Sequence, residues 1–235
     1  MLVQFRRTLR STRAGLRVTP WQDRTDVAHM VAMRPPSREQ LRRQCRRLAR
    51  RRIRRIITGA LAPDDQGVFL SAGFEPIDEL CLLERDLSRL PPVPDIDIRT
   101  RRYRLDDVIA VDHAAFPAFW HLTSSGLSEA RRATPTSRLR VVGSRPCQAY
   151  ALVGRAGHLG YLQRLAVHPD RANSGIGRAL VVDGLDWLAT KGATRIMVNT
   201  QVTNQRALGL YESLGFTRLP EGLTVLALDL TITVP

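Results

Sequence analysis

The chain of 235 residues is 43% apolar, which is enough for one full domain and a smaller second unit, each with some core. No segment approaches the roughly 18 consecutive apolar residues of a membrane helix, and the arginine-rich N-terminus lacks an apolar signal core, so we expect a soluble cytoplasmic protein without membrane contact. The net charge of +14 lies entirely in residues 1–57, where seventeen arginines face three acidic residues.

The first predicted helix is rich in arginine. Ten arginines lie in Arg38–Ile56, while Leu41, Cys45, Leu48 and Ile56 recur at helical spacing on one face. Two interpretations are open. The arginines form a contact surface for RNA, DNA or an acidic protein surface such as the ribosome, or they are the solvated face of a helix that packs on a sheet. No aromatic residues interleave with them, which argues against base stacking.

An internal repeat spans most of the chain. The segments Arg54–Leu87 and Thr194–Leu230 both run strand, loop, short helix, a Ser-x-Gly-Phe corner and an apolar strand that ends in Asp-Leu. A proline-rich stretch at 88–95 separates the copies. We therefore predict a truncated lobe at 1–90, which lacks a glycine loop and binds no cofactor, and a complete domain at 95–235.

The second copy alternates strands and helices, which indicates an α/β domain. Strands are predicted at Ile96–Tyr103, Leu139–Val142, Gln148–Val153, His158–Val167, Arg195–Thr200 and Leu223–Leu230, and helices at Leu105–Phe116, 123–133, 175–190 and 204–214.

The cysteines are three in number and widely spaced. Cys45, Cys81 and Cys147 show no CxxC pattern, so neither a disulfide framework nor a zinc site is indicated. We expect buried small hydrophobic residues and no metal.

The segment Leu165–Leu180, LAVHPDRANSGIGRAL, reads as a strand, a glycine loop and the start of a helix. Gly175 and Gly177 have no side chains to block approach to the backbone N–H groups at a helix N-terminus. Such groups form an anion cradle suited to a pyrophosphate. Taken alone, the glycine pattern is equally typical of a tight turn that begins a helix.

The segment Leu165–Arg178, Asn204 and the run ALGLYESLGF at 207–216 together resemble the GCN5-related N-acetyltransferase (GNAT) superfamily, whose members bind acetyl-CoA through a QxxGxG or RxxGxG loop. The resemblance covers residues 95–230. The stretch Ala114–Gly126 is also similar to the substrate-side helices of the ribosomal-protein N-terminal alanine acetyltransferase type. The implied fold is a mixed, largely antiparallel central sheet with helices on both faces, preceded by a truncated GNAT-like half repeat.

The resemblance also implies the roles of individual residues. Asn204 would hydrogen-bond the cofactor, although its position also fits a helix N-cap. Tyr211 would protonate the departing CoA thiolate, although its apolar neighbours also fit a core aromatic residue. The acetyl and pantetheine groups would contact the main chain of Leu165, Ala166 and Val167, and the pyrophosphate would contact Asn173, Ser174, Gly175, Ile176, Gly177 and Arg178.

Two positions depart from the family pattern. Ala172 stands where glutamine or arginine is usual, with Arg171 one place earlier. Asn199 stands where the alanine acetyltransferase type has a glutamate base, and an amide cannot accept the proton. The neighbouring strand offers Tyr161, Gln163 and His158 but no carboxylate, so deprotonation would use water held by such groups or a substrate that arrives neutral.

The missing base bears on the acceptor. At pH 7 an α-amine with a pKa near 8 is roughly 10% neutral, whereas a lysine amine is neutral in only about 0.04% of molecules. The sequence therefore favours acetyl transfer to an α-amine, more specifically a protein or peptide N-terminus, by direct attack. The alternatives are a small-molecule amine acetyltransferase, a non-catalytic acetyl-CoA-binding protein and a nucleic-acid-binding module.

Overall fold

The computed structural model describes residues 15–92, 94, 96, 98, 103–143 and 146–231. The strands are β1 (Leu16–Trp21), β2 (Arg24–Ala32), β3 (Arg55–Thr58), β4 (Glu75–Asp86), β5 (Thr136–Val142), β6 (Ala149–Ala156), β7 (Leu159–Val167), β8 (Arg195–Gln201), β9 (Thr217–Arg218) and β10 (Leu223–Asp229). The α-helices are α1 (Arg38–Arg50), α2 (Pro63–Leu70), α3 (Leu105–Ala115), α4 (Ser124–Arg132), α5 (Ile176–Thr190) and α6 (Gln205–Ser213).

The elements predicted from Leu105 onward are confirmed to within a few residues at each end. The predicted strand Ile96–Tyr103 lies mostly outside the described residues. None of the described helices is long and apolar enough to cross a bilayer.

The chain divides into two compact units. The first unit contains the described residues up to Leu82, residues 201–203 and the chain from Leu219 onward, and the second unit contains 83–200 and 204–218. These units do not coincide with the predicted domains 1–90 and 95–235. The reason is β10, the last strand of the second copy, which pairs with β3 and β4 and so belongs to the first unit.

The first unit is a sheet covered by α1 and α2. Its strand order is β1-β2-β3-β10-β4, in which β2 and β3 are parallel and the other pairs are antiparallel. Helix α1 begins with a capping box: the Ser37 side chain accepts from the Gln40 N–H, and the Gln40 side chain accepts from the Ser37 N–H. The core consists mainly of Ala28, Met30, Leu41, Cys45, Leu48, Ile56, Phe69, Phe74 and Leu226.

The second unit has helices on both faces of its sheet. The strand order is β8-β7-β6-β5, with β5, β6 and β7 antiparallel and β7 parallel to β8. Leu152 of β6 packs with α3 and α4, whereas its neighbour Val153 lies against Gly184 of α5. Because adjacent strand residues point to opposite faces, the helices cover both faces. The predicted mixed α/β fold is confirmed.

The internal repeat is also confirmed in the order of elements. In the first copy, strand β3, helix α2, a corner and strand β4 follow one another. In the second copy the same order is β8, α6, a corner and β10. At the corners, Gly73 and Gly215 have φ angles of 88° and 78°, which favour glycine. In both copies the N–H of the corner phenylalanine, Phe74 or Phe216, donates to the carbonyl five residues earlier.

Candidate active site

The loop between β7 and α5 has the geometry of an anion cradle. Asn173 and Gly175 have positive φ angles of 59° and 80°, and Gly175 is the N-cap of α5. The first helical bond runs from the Ala179 N–H to the Gly175 carbonyl, so the N–H groups from Gly175 to Arg178 have no partner inside the helix. Such groups at the positive end of a helix dipole favour a bound anion.

Gly177 lies where strand β7 and helices α5 and α6 meet. A Cβ atom at this position would be 3.4 Å from Val167 Cγ2 and 3.7 Å from Leu210 Cδ2. The end of β7, the first turn of α5 and the middle of α6 are therefore in contact. The fold thus brings together three segments that the sequence predicted to act on one ligand.

Strands β7 and β8 separate beside this loop. They pair only from Leu159 with Arg195 to Tyr161 with Met197. Further along β7, residues 165–167 pair with β6 on one side and have no strand partner on the other among the described residues. The two strands therefore splay apart beyond Tyr161, which leaves backbone groups on that edge of β7 available to a ligand.

Several guanidinium groups surround the loop. Arg206 Nη2 donates to Asn173 Oδ1 at 3.4 Å, and Arg178 Nη1 donates to Ser213 Oγ at 3.2 Å. Arg171 is exposed in the short 3-10 turn before the loop. Sequence reasoning named Arg171 and Arg178 but missed Arg206, although it follows Asn204 by only two positions.

Asn204 and Tyr211 occupy the start and the buried face of α6. Asn204 Oδ1 accepts from the Ala207 N–H at 3.1 Å, so this residue is the N-cap, and its amide NH2 group is not used by the cap. Tyr211 is 5% exposed, and its ring centroid lies 5.6 Å from that of Phe216. Burial raises the pKa of the Tyr211 phenol well above its usual range, so the hydroxyl is protonated at neutral pH.

The sequence of residues 139–216 matches the acetyltransferase (GNAT) family. This segment includes β7, the glycine loop, α5, β8 and α6, the elements whose geometry forms the site. This part of the chain is similar to the GNAT acetyltransferases.

Curated relatives of this chain are mycothiol acetyltransferases. The one from Acidothermus cellulolyticus is 32% identical over 184 residues, which cover 66% of this chain and 56% of the relative. The one from Rhodococcus jostii is 30% identical over 182 residues, covering 66% and 58%. The matches span less than two thirds of the length of these relatives.

Solved structures show the same fold. A tandem GNAT protein from the clavulanic acid biosynthesis pathway aligns with a TM-score of 0.61 at 12% identity, covering 87% of this chain and 75% of the other. A GCN5-related N-acetyltransferase from Kribbella flavida aligns with a TM-score of 0.60 at 13% identity, covering 88% and 84%.

Two amide side chains lie on one face of the sheet near the point where β7 and β8 separate. Asn199 of β8 lies on the same face as Met197, whose partner in β7 is Tyr161. Gln163 lies on this face too, because it contacts Gly154, the β6 partner of Tyr161. Asn199 Nδ2 and Gln163 Oε1 are buried and have no hydrogen-bond partner within the described part of the chain. Buried polar atoms of this kind call for a water or a ligand group.

The first copy lacks the chemical groups of this site. The two copies are offset by 142 residues, as the corner residues Ser71 and Ser213 show. At this offset Tyr211 corresponds to Phe69, which has no hydroxyl, and Asn204 corresponds to Ala62, which makes no side-chain cap. The N-terminus of α1 is capped by its own Ser37 and Gln40 side chains. An anion would have to displace these bonds, so the equivalent cradle is closed.

The sequence analysis missed a buried ion pair beneath the site. Asp112 of α3 is fully buried and accepts from Arg164 of β7, with Nε to Oδ2 at 2.8 Å and Nη2 to Oδ1 at 2.9 Å. The Tyr150 hydroxyl also donates to Asp112. Burial alone raises the pKa of the Asp112 carboxyl, but the hydrogen bonds and charge of Arg164 outweigh it and leave the pKa below its usual range.

This ion pair fixes the loop between α3 and α4 to strand β7. Asp112 accepts from the Leu122 N–H at 2.7 Å, and Arg164 donates to the Trp120 carbonyl at 2.7 Å. The Arg164 guanidinium carbon also lies 3.5 Å from the Phe116 ring centroid. Arg164 directly precedes Leu165 in β7. The same group of side chains therefore holds both the edge of β7 at residues 165–167 and the loop between α3 and α4. No local pattern in the sequence signals it, since 52 residues separate Asp112 from Arg164.

None of the three cysteines belongs to β7, the glycine loop, α5, β8 or α6. Cys45 and Cys147 are buried, and burial raises the pKa of each thiol to about 11. Cys81 is half-buried in β4. The described residues contain no group of three or more histidine, cysteine or acidic side chains that could hold a metal ion.

Proposed function

We propose that the protein is an acetyl-CoA-dependent N-acetyltransferase that acetylates a small-molecule amine by direct attack. The observation that carries the proposal is an edge of β7 without a strand partner among the described residues, beside a glycine loop whose N–H groups have no partner inside α5. One element could hold the thioester and the other the pyrophosphate of the same ligand. The similarity to the GNAT acetyltransferases supports acetyl-CoA as that ligand.

The predicted cofactor contacts remain proposals for individual residues. The main chain of Leu165, Ala166 and Val167 would contact the acetyl and pantetheine groups. The Asn204 NH2 group is free of its cap and would donate to the cofactor. The pyrophosphate would be bound by Asn173, Ser174, Gly175, Ile176, Gly177 and Arg178, with added charge from Arg171 and Arg206. The main-chain N–H groups of this cradle would compensate for the glutamine or arginine side chain that is usual at the position of Ala172.

Tyr211 is assigned as the general acid. The neutral amine nitrogen attacks the thioester carbonyl, a C–N bond forms, the C–S bond breaks, and the amine proton passes to water. The departing thiolate takes a proton from the Tyr211 hydroxyl, which solvent then restores. Burial keeps the Tyr211 hydroxyl protonated at neutral pH, so a proton is present when the thiolate forms, but the raised pKa also makes the transfer of that proton less favourable.

The acceptor is proposed to be a small α-amine. The relatives' name, mycothiol acetyltransferase, supports a small molecule over the protein N-terminus that the sequence favoured. The absence of a carboxylate at Asn199 supports an amine with a low pKa, which reaches the site neutral more often than a lysine amine. The unpartnered Asn199 and Gln163 amides would hold the water that receives the proton.

A panel of acceptors tests this function. CoA release from acetyl-CoA would be followed with small α-amines, peptides with a free N-terminus, and N-terminally blocked peptides that contain lysine. We expect the highest kcat/KM with small α-amines. Preference for peptide N-termini would replace the small-molecule proposal, preference for lysine would overturn the α-amine proposal, and acetyl-CoA binding without turnover would overturn the enzymatic function.

A further inference from the structure

A surface of exposed arginines lies on the first unit. Leu41, Cys45 and Leu48 of α1 are buried in the core of the first unit. The arginines of α1 and of the turn that follows it point away from that core and are exposed. We call this set the arginine surface: Arg38, Arg42, Arg43, Arg46, Arg47, Arg50, Arg51 and Arg52.

The charge of this surface is not neutralised within the described part of the chain. None of its eight arginines forms an ion pair with a described residue, and Glu39 is the one acidic residue in the segment. Arg38 donates to the Ser71 carbonyl, which carries no net charge. The surface therefore presents its positive charge to solvent.

Arg47 and Arg50 in the last turn interact favourably with the helix dipole, but the spacing of the arginines along α1 does not stabilise the helix. Four pairs of arginines are spaced by four residues, from Arg38 to Arg42, Arg42 to Arg46, Arg46 to Arg50 and Arg43 to Arg47. Like charges at this spacing destabilise a helix by about 0.2–0.5 kcal/mol per pair. The apolar stripe and the capping box hold α1 in place without them. The arginines thus need an explanation outside the fold.

The chemistry of the surface favours phosphate. A guanidinium group binds a phosphate through two parallel hydrogen bonds and stays charged at any physiological pH. The segment 38–55 contains no aromatic residue on which unpaired bases could stack. A duplex carries one negative charge per about 1.7 Å of its axis, a density that a folded acidic protein surface does not approach.

The shape of the surface favours B-form DNA. With 3.6 residues per turn, Arg42, Arg46, Arg50, Arg43 and Arg47 span about 140° of the helix circumference, so arginines lie on both flanks of the exposed face. The B-form major groove is roughly 12 Å wide and admits a helix with a phosphate strand on each side. The A-form major groove of RNA is too narrow for this contact. We propose that the arginine surface binds the phosphate backbone of duplex DNA without sequence preference.

The test uses the full chain and a fluorescein-labelled DNA duplex of arbitrary sequence. Anisotropy would be measured over a series of KCl concentrations for the wild type and for the triple variant R42Q/R46Q/R50Q. The matched control, R89Q/R131Q/R132Q, removes three exposed arginines of the second unit and the same total charge. Thermal melts would verify that both variants fold.

We expect wild-type affinity to fall linearly with salt on a logarithmic plot, by a slope of about 0.9 per phosphate contacted. The triple variant would reduce this slope by about 2–3 because each lost arginine removes one phosphate contact, and the control would leave it unchanged. The proposal is overturned if the wild type does not bind at low salt or if both triple variants lose affinity equally. Tighter binding of duplex RNA or polyglutamate than of DNA would overturn it as well. CoA release is a separate readout, because the proposal does not depend on acetyl transfer.

Discussion

Arg206 links α6 to the glycine loop through its bond to Asn173. Arg206→Gln removes a positive charge from the cradle and keeps a hydrogen-bonding amide. Exposed charges interact by up to about 1 kcal/mol, so we expect KM for acetyl-CoA to rise by up to about fivefold with kcat unchanged. Steady-state kinetics would measure this at low and high salt, since salt screens the lost attraction.

Arg218→Gln is the matched control, because Arg218 is exposed and pairs with Glu212 at the other end of α6. A change in kcat alone, or an equal change in KM with the control, would contradict the role of Arg206.

Asp112 is expected to matter through Arg164 rather than through the reaction. Asp112→Asn leaves the Arg164 guanidinium buried without its counter-charge, which costs about 3–5 kcal/mol when a partner is removed from a buried pair. Urea denaturation would measure the loss in free energy of unfolding. Asp183→Asn breaks a more exposed pair with Arg138 and Arg140 and should cost less. Equal losses in the two variants would contradict this account.

Residue-scale predictions come from stretches where the signal is local. The glycine loop and α6 belong to one stretch of about forty residues, and Arg206 and Leu210 of α6 lie against the loop. The roles of Asn204 and Tyr211 stay predictions. The Asp112 and Arg164 pair could not be predicted, because each residue alone is typical of a solvated surface. Only the tertiary packing of α3 on β7 buries both.

At the scale of elements, the start of a helix decides whether it can hold an anion. Helix α5 begins at a glycine with φ of 80° and no side-chain cap, whereas α1 begins with a capping box. The two helices follow equivalent strands of the two copies, β7 and β2. The missing glycine loop of the first lobe was predicted from the sequence. The Ser-x-x-Gln cap of α1 was missed, although this pattern can also be read locally.

Strand β2 contains a histidine that ties the stability of the first unit to pH. Burial, with a smaller contribution from the charge of Arg17, lowers the pKa of His29 to about 4. His29 binds a proton below about pH 6.5 in the unfolded chain and only below about pH 4 in the native chain. The free energy of unfolding therefore decreases as the pH falls from about 6.5 to about 4. The loss is at most about 3 kcal/mol.

His29→Gln should remove most of this dependence, which unfolding free energies at pH 7 and pH 4.5 would measure. His158→Gln, which changes an exposed histidine, should leave it intact. Identical pH profiles for His29→Gln and the wild type would show that His29 is not the titrating group.

At the scale of the whole molecule, β10 determines which part of the chain folds alone. Its residues Val225 and Leu226 are buried, and it pairs with both β3 and β4. The sequence predicted the strand but not its partners, because strand pairing between distant segments leaves no local pattern. The expectation that 95–235 is a complete domain therefore makes a sharp test.

We expect a fragment of residues 95–235 to lose cooperative unfolding, because β10 would have neither of its neighbouring strands. We likewise expect removal of residues 219–235 from the full chain to make β3 and β4 sensitive to limited proteolysis. A fragment that melts as sharply as the full chain, and at the same temperature, would contradict this account and support the predicted domain.

The most direct test of acetyl transfer at this site is the kinetics of Tyr211→Phe with the best small α-amine acceptor. Loss of a general acid lowers kcat by about 10²–10⁴-fold, and we expect that range with KM for acetyl-CoA unchanged, since the cradle is intact. Tyr103→Phe, which alters a half-buried tyrosine packed near α3, should behave like the wild type. An unchanged kcat in Tyr211→Phe would contradict the assignment of Tyr211 and of the reaction at this site.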